Sequence, residues 1–381
     1  MLLLALLTAT VANFDVREFE RARVVAAAEV SLTHEPRSLT SARNPRSAGG
    51  AHDFSSEGDY WWPDPQKPDG PYVRRDGLTN PDNFVAHRNL MFAMARDVGA
   101  LAAAWDLTRD ERFATAAVRH LRTWFVDPTT RMNPNLLYAQ AIQGVATGRG
   151  IGIIDTLHLA EVALGIEALR ESKALTTADD AALTDWFRDY LHWMRTHPYG
   201  IDESTQENNH GTCWVLQAAA FARLAGDAAV LAECRERFRR DLLPQMAPDG
   251  SYPRELARTK PYGYAIFNLD VMCATAVVLS TPGEDLMRTA LPDGRGMLRA
   301  VAWLAPFLAD KSKWPKAPDV MYWNDWPIRQ PALLFGALAA NNADWLALWR
   351  RLPADSAIEE VQRNFPVRYP TLWLRRSVAA N

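Results

Sequence analysis

Ten segments of the chain repeat apolar residues every three to four positions, which is the pattern of an α-helix with one buried face. No strand-like run is longer than about five residues. The 381-residue chain is long enough to bury a large core. The sequence therefore predicts an all-α protein, with helices over residues 14–32, 84–107, 111–125, 154–170, 177–195, 211–224, 228–243, 264–279, 296–308 and 330–340.

The predicted helices follow one another in pairs, as in folds where inner and outer helices alternate around a central cavity. Residues 177–180 read Thr-Ala-Asp-Asp, a capping sequence, and Asp227 directly precedes another predicted helix. No repeat of fixed length is visible, which argues against a regular solenoid. We expect one (α/α) toroid, an incomplete α/α barrel, over residues 13–381.

Residues 38–83 are rich in Gly, Pro, Ser and Asp and show no helical period. A loop of this length inside a compact domain is generally functional or disordered, and its aromatic content argues against disorder. In the stretch GDYWWPDPQKPDGPYVRRDG, the neighbours Tyr60, Trp61 and Trp62 cannot all face one core. We expect an aromatic-rich loop over a central cleft; the alternative is a loop that its tryptophans pin to the body.

The bulk composition narrows the classes of partner. A formal net charge of −3 gives no electrostatic reason to expect nucleic acid. Three cysteines without a CxxC pair allow at most one disulfide and indicate no metal site, and no cofactor is expected. Fourteen tryptophans suit a core, and they also suit stacking against sugar rings.

Residues 1–12 read MLLLALLTATVA, an apolar run that ends in small residues. The run is too short to span a bilayer, so no membrane insertion is expected. It resembles the apolar region of a secretory signal, although the usual leading positive charge is missing. We predict a signal peptide and a periplasmic or secreted protein; the alternative is an apolar helix end.

The run Asn208-Asn209-His210 stands where a predicted helix begins. Asparagine is a favoured N-cap, and one such residue is enough for capping. A second amide and an imidazole add hydrogen-bond donors at the positive end of the helix, where an anion such as a carboxylate is favoured. We assign capping to Asn208 and carboxylate binding to Asn209 and His210.

The stretch RELARTKPYGY places three cations and two tyrosines close together, just before the helix predicted from residue 264. A nearby cation favours the phenolate and so lowers the pKa of a tyrosine. A tyrosine beside Arg258 is therefore a candidate base. Local chemistry alone does not separate Tyr262 from Tyr264, and a solvated basic loop beside core tyrosines is the alternative.

One reaction uses all of these groups together, namely β-elimination at a uronic acid in a polysaccharide. Removal of the C5 proton spreads negative charge onto the C6 carboxylate, and donors aimed at that carboxylate stabilise it. In a β-linked mannuronate or glucuronate the C5 proton and the departing O4 lie on one side of the ring. One tyrosine can therefore serve both, and side chains can neutralise the carboxylate without a metal.

Four stretches carry a resemblance to a known family: GDYWWPDPQKPDGPYVRRDG, NPNLLYAQAIQGVATGRGIGIIDT, ENNHGTCW and RELARTKPYGYAIFNLD. In this order they resemble the alginate lyase superfamily, most closely the branch called polysaccharide lyase family 38 and more distantly alginate lyase family 5. The resemblance covers residues 53–340. It implies an (α/α) toroid with a cleft, and metal-independent cleavage of a β-1,4-linked polyuronate that leaves 4,5-unsaturated uronate ends.

The resemblance also implies roles for individual residues. Asn209 and His210 would bind and neutralise the carboxylate with help from Arg258, and Tyr264 would be base and then acid. His210 as the base is the rival mechanism. We expect the substrate-binding residues to include Tyr60, Trp61, Trp62, Arg88, Tyr138, Gln140, Arg149, Asn208 and Tyr262.

Two other functions are open on the sequence alone. One is a non-catalytic protein that binds a polyuronate in the same cleft. The other is a glycoside hydrolase, because helical toroids also host enzymes that use two carboxylates. The available acids are Asp59, Asp64, Asp155, Asp202 and Glu203.

Overall fold

The computed structural model describes residues 11–375, and in that part of the chain the fold is an (α/α) toroid, which confirms the predicted class. The α-helices there are α1 (Val16–Ser31), α2 (Ala86–Thr108), α3 (Glu111–Leu121), α4 (Leu159–Leu169), α5 (Thr177–Thr196), α6 (Pro198–Ser204), α7 (Asn209–Ala225), α8 (Ala228–Arg237), α9 (Pro253–Leu256), α10 (Pro261–Leu279), α11 (Met297–Ala309), α12 (Pro331–Ala340), α13 (Ala343–Arg351), α14 (Glu359–Arg363) and α15 (Pro370–Trp373).

Helices α2, α4, α7, α10 and α12 form the inner series, in which α4 packs on both α2 and α7, and α10 packs on both α7 and α12. The outer helices α1, α3, α5, α8, α11 and α13 pack on the inner helices from outside, and α11 covers both α10 and α12. Helices α4, α7, α10 and α12 are buried on nearly every side, whereas the outer helices bury one stripe. These four inner helices therefore read as mostly apolar sequence.

Helix α10 shows this most strongly. By length and apolar composition it is the one helix in the described part that could cross a membrane, and 83% of its apolar window is buried inside the protein. Its apolar character is explained by its place in the inner series, where neighbouring helices cover it. Its first turn holds Tyr264, because α10 begins at Pro261, three residues before the predicted start.

Several predicted boundaries differ from the observed ones. The segments predicted as helices 111–125 and 228–243 each leave α-geometry before their end and continue as π-turns, Arg122–Val126 and Phe238–Leu242. The segment predicted from residue 154 begins as the 3₁₀ helix Gly150–Thr156. The cap of α5 is Thr176, one residue before the predicted sequence, and it forms a capping box with Asp179. Asp227 caps α8 as predicted.

The long irregular stretch is ordered by short strand pairs and by side-chain bonds. Strand β1 (Ser55–Glu57) pairs in parallel with β4 (Tyr138–Ala141), and β2 (Trp61–Trp62) pairs with β3 (Val73–Arg74) in antiparallel fashion. Asn83 Nδ2 donates to the Gly58 carbonyl at 2.7 Å, and the Asn80 N–H donates to the Asp59 carbonyl at 2.8 Å. These bonds fix the chain directly before the aromatic run.

The predicted signal peptide over residues 1–12 lies, except for its last two residues, outside the described part of the chain. The periplasmic or secreted location stays a prediction. The 3₁₀ turn Val11–Asn13 is the first described element. Cys213, Cys234 and Cys273 are buried free thiols.

The C-terminal segment is fastened to the inner series by Glu161 of α4. Its Oε1 accepts hydrogen bonds from the N–H groups of Arg368 and Tyr369, both at 2.9 Å, and from Trp373 Nε1 at 2.8 Å. Glu161 is 2% exposed, so water cannot replace these bonds. This anchor places α14 and α15 against the body of the toroid.

Replacement of Glu161 by alanine should lower the free energy of unfolding by about 3 kcal/mol or more, because three buried N–H donors lose their acceptor. Urea unfolding followed by circular dichroism measures the change. The matched control is Glu236→Ala on the exposed face of α8, which should change stability by less than about 0.5 kcal/mol. Equal effects of the two substitutions would contradict the anchoring role.

Candidate active site

An open cleft of about 280 Å³ lies where the first turns of α7 and α10 meet the aromatic loop and α14. Both helices begin at the cleft; the start of α7 favours negative charge there, whereas Asp319 accepts the first N–H groups of α10. The cleft is lined by Asp59, Tyr60, Trp61, Arg74, Gln140, Arg149, Ile151, Ile154, Asp155, Leu157, Gln206, Asn208, Asn209, His210, Arg258, Tyr264, Phe267, Glu360, Arg363 and Asn364.

The two asparagines at the start of α7 have different surroundings. Asn208 is the N-cap, and its Oδ1 accepts from the His210 N–H at 3.0 Å. Asn209 is 1% exposed, and its backbone N–H and Nδ2 donate to the two carboxylate oxygens of Glu255 at 2.8 and 2.7 Å. Glu255 therefore fixes the orientation of the Asn209 amide at the wall of the cleft.

His210 is held by a carboxylate from the preceding helix. Its Nδ1 lies 2.8 Å from Oε1 of Glu203 in α6, which leaves Nε2 for a ligand. Burial by itself would lower the pKa of His210, but the charge and the hydrogen bond of the fully buried Glu203 outweigh burial and raise that pKa above its ordinary value. The imidazole is thus biased toward its cationic form.

Tyr264 lies opposite, in the first turn of α10. Its hydroxyl shares a 2.7 Å hydrogen bond with the hydroxyl of Tyr60 and accepts from Arg258 Nη2 at 3.0 Å. The Arg258 guanidinium carbon is 4.2 Å from the centre of the Tyr264 ring. Asp76 of the aromatic loop accepts from the same Nη2 at 2.9 Å and so holds Arg258 in place.

The neighbouring cations are only one of the influences on the pKa of Tyr264. Burial of Tyr264 and its contact with Tyr60 raise its pKa well above the ordinary value, although the charges of Lys260 and Arg258 act in the opposite direction. The prediction of a lowered pKa was wrong because desolvation exceeds the two charges. Without substrate Tyr264 is therefore a neutral phenol.

Tyr262 is separated from the cleft, so its inclusion among the substrate-binding residues was wrong. The side chain is fully buried between Trp314 and Trp323, and its hydroxyl donates to the Phe307 carbonyl at 3.1 Å. Two residues along a helix differ by about 200° in direction, so only one of the two tyrosines can face the cleft. The structure therefore places Tyr264, and not Tyr262, at the cleft, which the local sequence could not decide.

The other predicted binding residues divide into two groups. Tyr60, Trp61, Gln140, Arg149 and Asn208 line the cleft. Trp62, Arg88 and Tyr138 are not among the lining residues, and each has another contact that accounts for its position.

Trp62 donates from Nε1 to the Leu78 carbonyl at 2.9 Å and lies under the Arg75 guanidinium. Tyr138 packs its ring so closely on Gly49 that a Cβ there would come within 2.7 Å of the ring. Trp62 therefore braces the loop internally, and Tyr138 packs β4 against the loop.

Arg88 is a buried structural cation. It donates to both oxygens of Asp59, at 2.8 and 3.1 Å, and lies 3.7 Å from Asp155. Asp59 precedes Tyr60 in the chain, so Arg88 supports the cleft from behind. Its expected direct contact with substrate was wrong.

Arg149 lines the cleft and is charged at neutral pH. Its Nε donates to the Gln140 carbonyl at 2.8 Å and its Nη2 to Gln140 Oε1 at 3.3 Å. Burial lowers the pKa of Arg149 to about 10. Gln140 in turn donates to Asp155 at 2.9 Å, so the pair is held in one orientation beside Trp61.

Three of the five acids named for a hydrolase are paired with other side chains, and Asp64 does not line the cleft. Asp59 accepts from Arg88 and Arg363, Asp155 from Ser56 and Gln140, and Glu203 pairs with His210. Asp202 is exposed and is not among the lining residues. Among residues 11–375, no group of three or more His, Cys, Asp and Glu is placed to hold a metal ion.

Sequence reasoning missed the partners of the site residues. Glu255 and Asp76 carried no local signal, because their partners are about 46 and 182 residues away. The cleft is also lined by Glu360 and Arg363 of α14 and by Asn364, which follows that helix. Helix α14 is too short for apolar periodicity to detect.

The family model described as alginate lyase matches residues 38–314 of the chain. A crystal structure of an alginate lyase from Bacteroides ovatus is 31% identical, with a TM-score of 0.80 over 95% of this chain and 96% of that chain. No curated protein matches the chain.

Two more distant structures share the fold. Alginate lyase A1-III from Sphingomonas species A1 is 14% identical, with a TM-score of 0.52 over 83% of this chain and 85% of that one. A variant of A1-III in complex with a tetrasaccharide is 14% identical, with a TM-score of 0.54 over 86% and 85% of the two chains.

The raised pKa of His210 can be measured directly. Histidine NMR should give a pKa above the ordinary 6.5, and Glu203→Gln should lower it because the neighbouring charge is lost. By linkage, protonation of His210 stabilises the fold below about pH 6.5, and this contribution is lost as the pH rises through the folded-state pKa.

The matched control is Glu207→Gln, which removes an exposed carboxylate near the same helix end and should leave the pKa of His210 almost unchanged. A wild-type His210 that titrates below 6.5 would contradict the described pairing with Glu203.

Proposed function

The chain belongs to the alginate lyase family, and on that premise we propose that it cleaves a β-1,4-linked polyuronate, either mannuronate-rich alginate or glucuronan, by metal-independent β-elimination. The observation that carries the proposal is the convergence on one cleft of Asn209 and His210 from the first turn of α7, Tyr264 from the first turn of α10, and Arg258 from the loop before α10. The family supports polysaccharide lyase activity; the sugar and the chemical steps are our proposal.

The start of α7 supplies the carboxylate clamp. A cationic His210 and the amide of Asn209 face the cleft with the positive helix end behind them. A uronate carboxylate bound there gains a counter-charge, and that interaction strengthens as the C5 proton leaves and the carboxylate takes up more negative charge. The side chains alone provide the neutralisation that the reaction needs.

Tyr264 supplies the proton transfers. The resting phenol first loses its proton to solvent, and the resulting phenolate oxygen takes the proton from C5; the C4–O4 bond breaks as the C4–C5 double bond forms. The new phenol then gives the proton to the departing O4. One group can do both only if the C5 proton and O4 lie on the same side of the ring, which favours β-linked mannuronate or glucuronate.

The alternative base is His210. Its raised pKa argues against this role, because a base must be deprotonated and Glu203 favours the cation. The neutral resting state of Tyr264 suits the later protonation of O4, and the charges of Arg258 and Lys260 favour the phenolate that the first step needs. The electrostatics therefore support a division of roles in which His210 binds the carboxylate and Tyr264 transfers the proton.

Digestion of defined polyuronates tests the proposal. Ultraviolet absorbance and mass spectrometry should detect unsaturated ends from mannuronate-rich alginate or glucuronan. Reducing ends without unsaturation would indicate hydrolysis, and saturable binding without any product would indicate a binding protein; either outcome contradicts the proposal.

Tyr264→Phe should reduce kcat by about 10²–10⁴-fold with little change in binding of the polyuronate, because the proton-transfer group is lost while the clamp remains. Tyr262→Phe is the matched control: it should keep the rate and lose about 1 kcal/mol of stability with its buried hydrogen bond to Phe307. Loss of the rate in Tyr262→Phe but not in Tyr264→Phe would reverse the assignment of the base.

A further inference from the structure

A buried ammonium group lies directly behind the two hydroxyl-bonded tyrosines of the cleft. Lys260 is 5% exposed, and its Nζ is 5.3 Å from the ring centre of Tyr60, 5.7 Å from that of Tyr264 and 5.3 Å from that of Tyr322. Lys260 does not line the cleft itself; it lines a small adjoining cavity on the far side of Tyr264. Substrate in the cleft would therefore meet Tyr264 and not Lys260.

The charge of Lys260 is maintained by Glu360. Lys260 Nζ donates to Glu360 Oε1 at 2.6 Å, and Glu360 also pairs with Arg363. Burial would lower the pKa of Lys260, but Glu360 and Tyr264 raise it, so the side chain stays an ammonium. Glu360 lies beyond residue 314, where the match to the family model ends.

We propose that Lys260 and Glu360 are a pair of positioning residues of opposite effect, which together set how readily Tyr264 becomes a phenolate. The ammonium stabilises the phenolate through space, and the carboxylate moderates that effect. The pair acts on the rate of proton transfer, and the carboxylate clamp at Asn209 and His210 is on the other wall of the cleft. This inference rests on the proposed lyase function.

Other charged groups also face the tyrosines, and they set the electrostatic background on which Lys260 and Glu360 act. From the loop before α10, Arg258 bonds to Tyr264 and is held by Asp76. Asp319 accepts the N–H groups of Tyr262 and Gly263 at 2.8 Å each and so occupies the positive end of α10. The remaining groups on this side are Asp59, Tyr60, Tyr322, Glu360 and Arg363.

Lys260 adds a second cation beside Tyr264 to that of Arg258. The Arg258 charge is shared with Asp76, and the Arg363 charge is shared between Asp59 and Glu360. The helix end is already satisfied by Asp319. The Lys260 ammonium is held against Glu360 on one side and faces aromatic rings on its others, where a charge is weakly screened.

The test compares pH profiles of kcat and KM for the wild type and four variants. Lys260→Met should lower kcat at neutral pH by about tenfold and move the most alkaline inflection upward by about one pH unit, the size expected for one charge at this separation. KM should change less than twofold. Lys260→Arg should recover most of the rate, because it restores the charge.

Glu360→Gln should move the same inflection downward, because it removes the opposing charge. The matched control is Lys311→Met: the Lys311 ammonium lies 5.5 Å from the ring centre of Tyr262, which is outside the cleft, so its loss should leave the profile unchanged. Circular dichroism of each variant checks the fold, and the double variant Lys260→Met/Glu360→Gln removes both charges together if either single variant is unstable.

An active wild type with an unshifted profile in Lys260→Met, or a shift in the same direction for Lys260→Met and Glu360→Gln, would overturn this inference alone. A double variant with the Lys260→Met shift in full would do the same, because the opposite effects should partly cancel. A wild type that forms no unsaturated product would overturn the proposed function and this inference with it.

Discussion

A buried set of alternating charges joins the parts of the chain that form the cleft. Arg88 of α2 and Arg363 of α14 both pair with Asp59 of the aromatic loop, and Glu360 of α14 links Arg363 to Lys260 at the start of α10. Four separate segments are held in register by these contacts. Charges buried in this way are costly unless each is paired and hydrogen-bonded. The two arginines hold the pKa of Asp59 far below its usual range in spite of its burial, so the set stays ionised.

The position of the reactive groups follows from this arrangement. Asp59 is adjacent to Tyr60, whose hydroxyl meets that of Tyr264, and Lys260 is four residues before Tyr264. The start of α7 is held by separate carboxylates, Glu203 and Glu255, which orient His210 and Asn209. Each wall of the cleft thus has its own support, and the two walls carry different electrostatic biases. One favours a cationic imidazole, and the other holds a phenol whose ionisation depends on nearby cations.

Apolar periodicity was sufficient for the helical class and the toroid, because the main inner and outer helices have ten or more residues and a clear apolar face. It did not find α6, α13 or α14, since helices of five to nine residues show too few periods. The surplus of hydrogen-bond donors at Asn208-Asn209-His210 indicated a binding position at the start of α7, and these three residues do line the cleft. The pKa of Tyr264 was not predictable from its neighbours in sequence, because desolvation depends on tertiary packing around the ring. The role of Arg88 was also not predictable, because its partner Asp59 lies in the irregular loop, 29 residues away in sequence.

The account depends on removal of the C5 proton of a uronate in this cleft. Digestion of mannuronate-rich alginate or glucuronan that carries deuterium at C5 measures this step most directly. We expect kcat to be lower than with the unlabelled polymer, and each new unsaturated end to have lost one deuterium. New chain ends that are saturated and keep their deuterium would contradict the account.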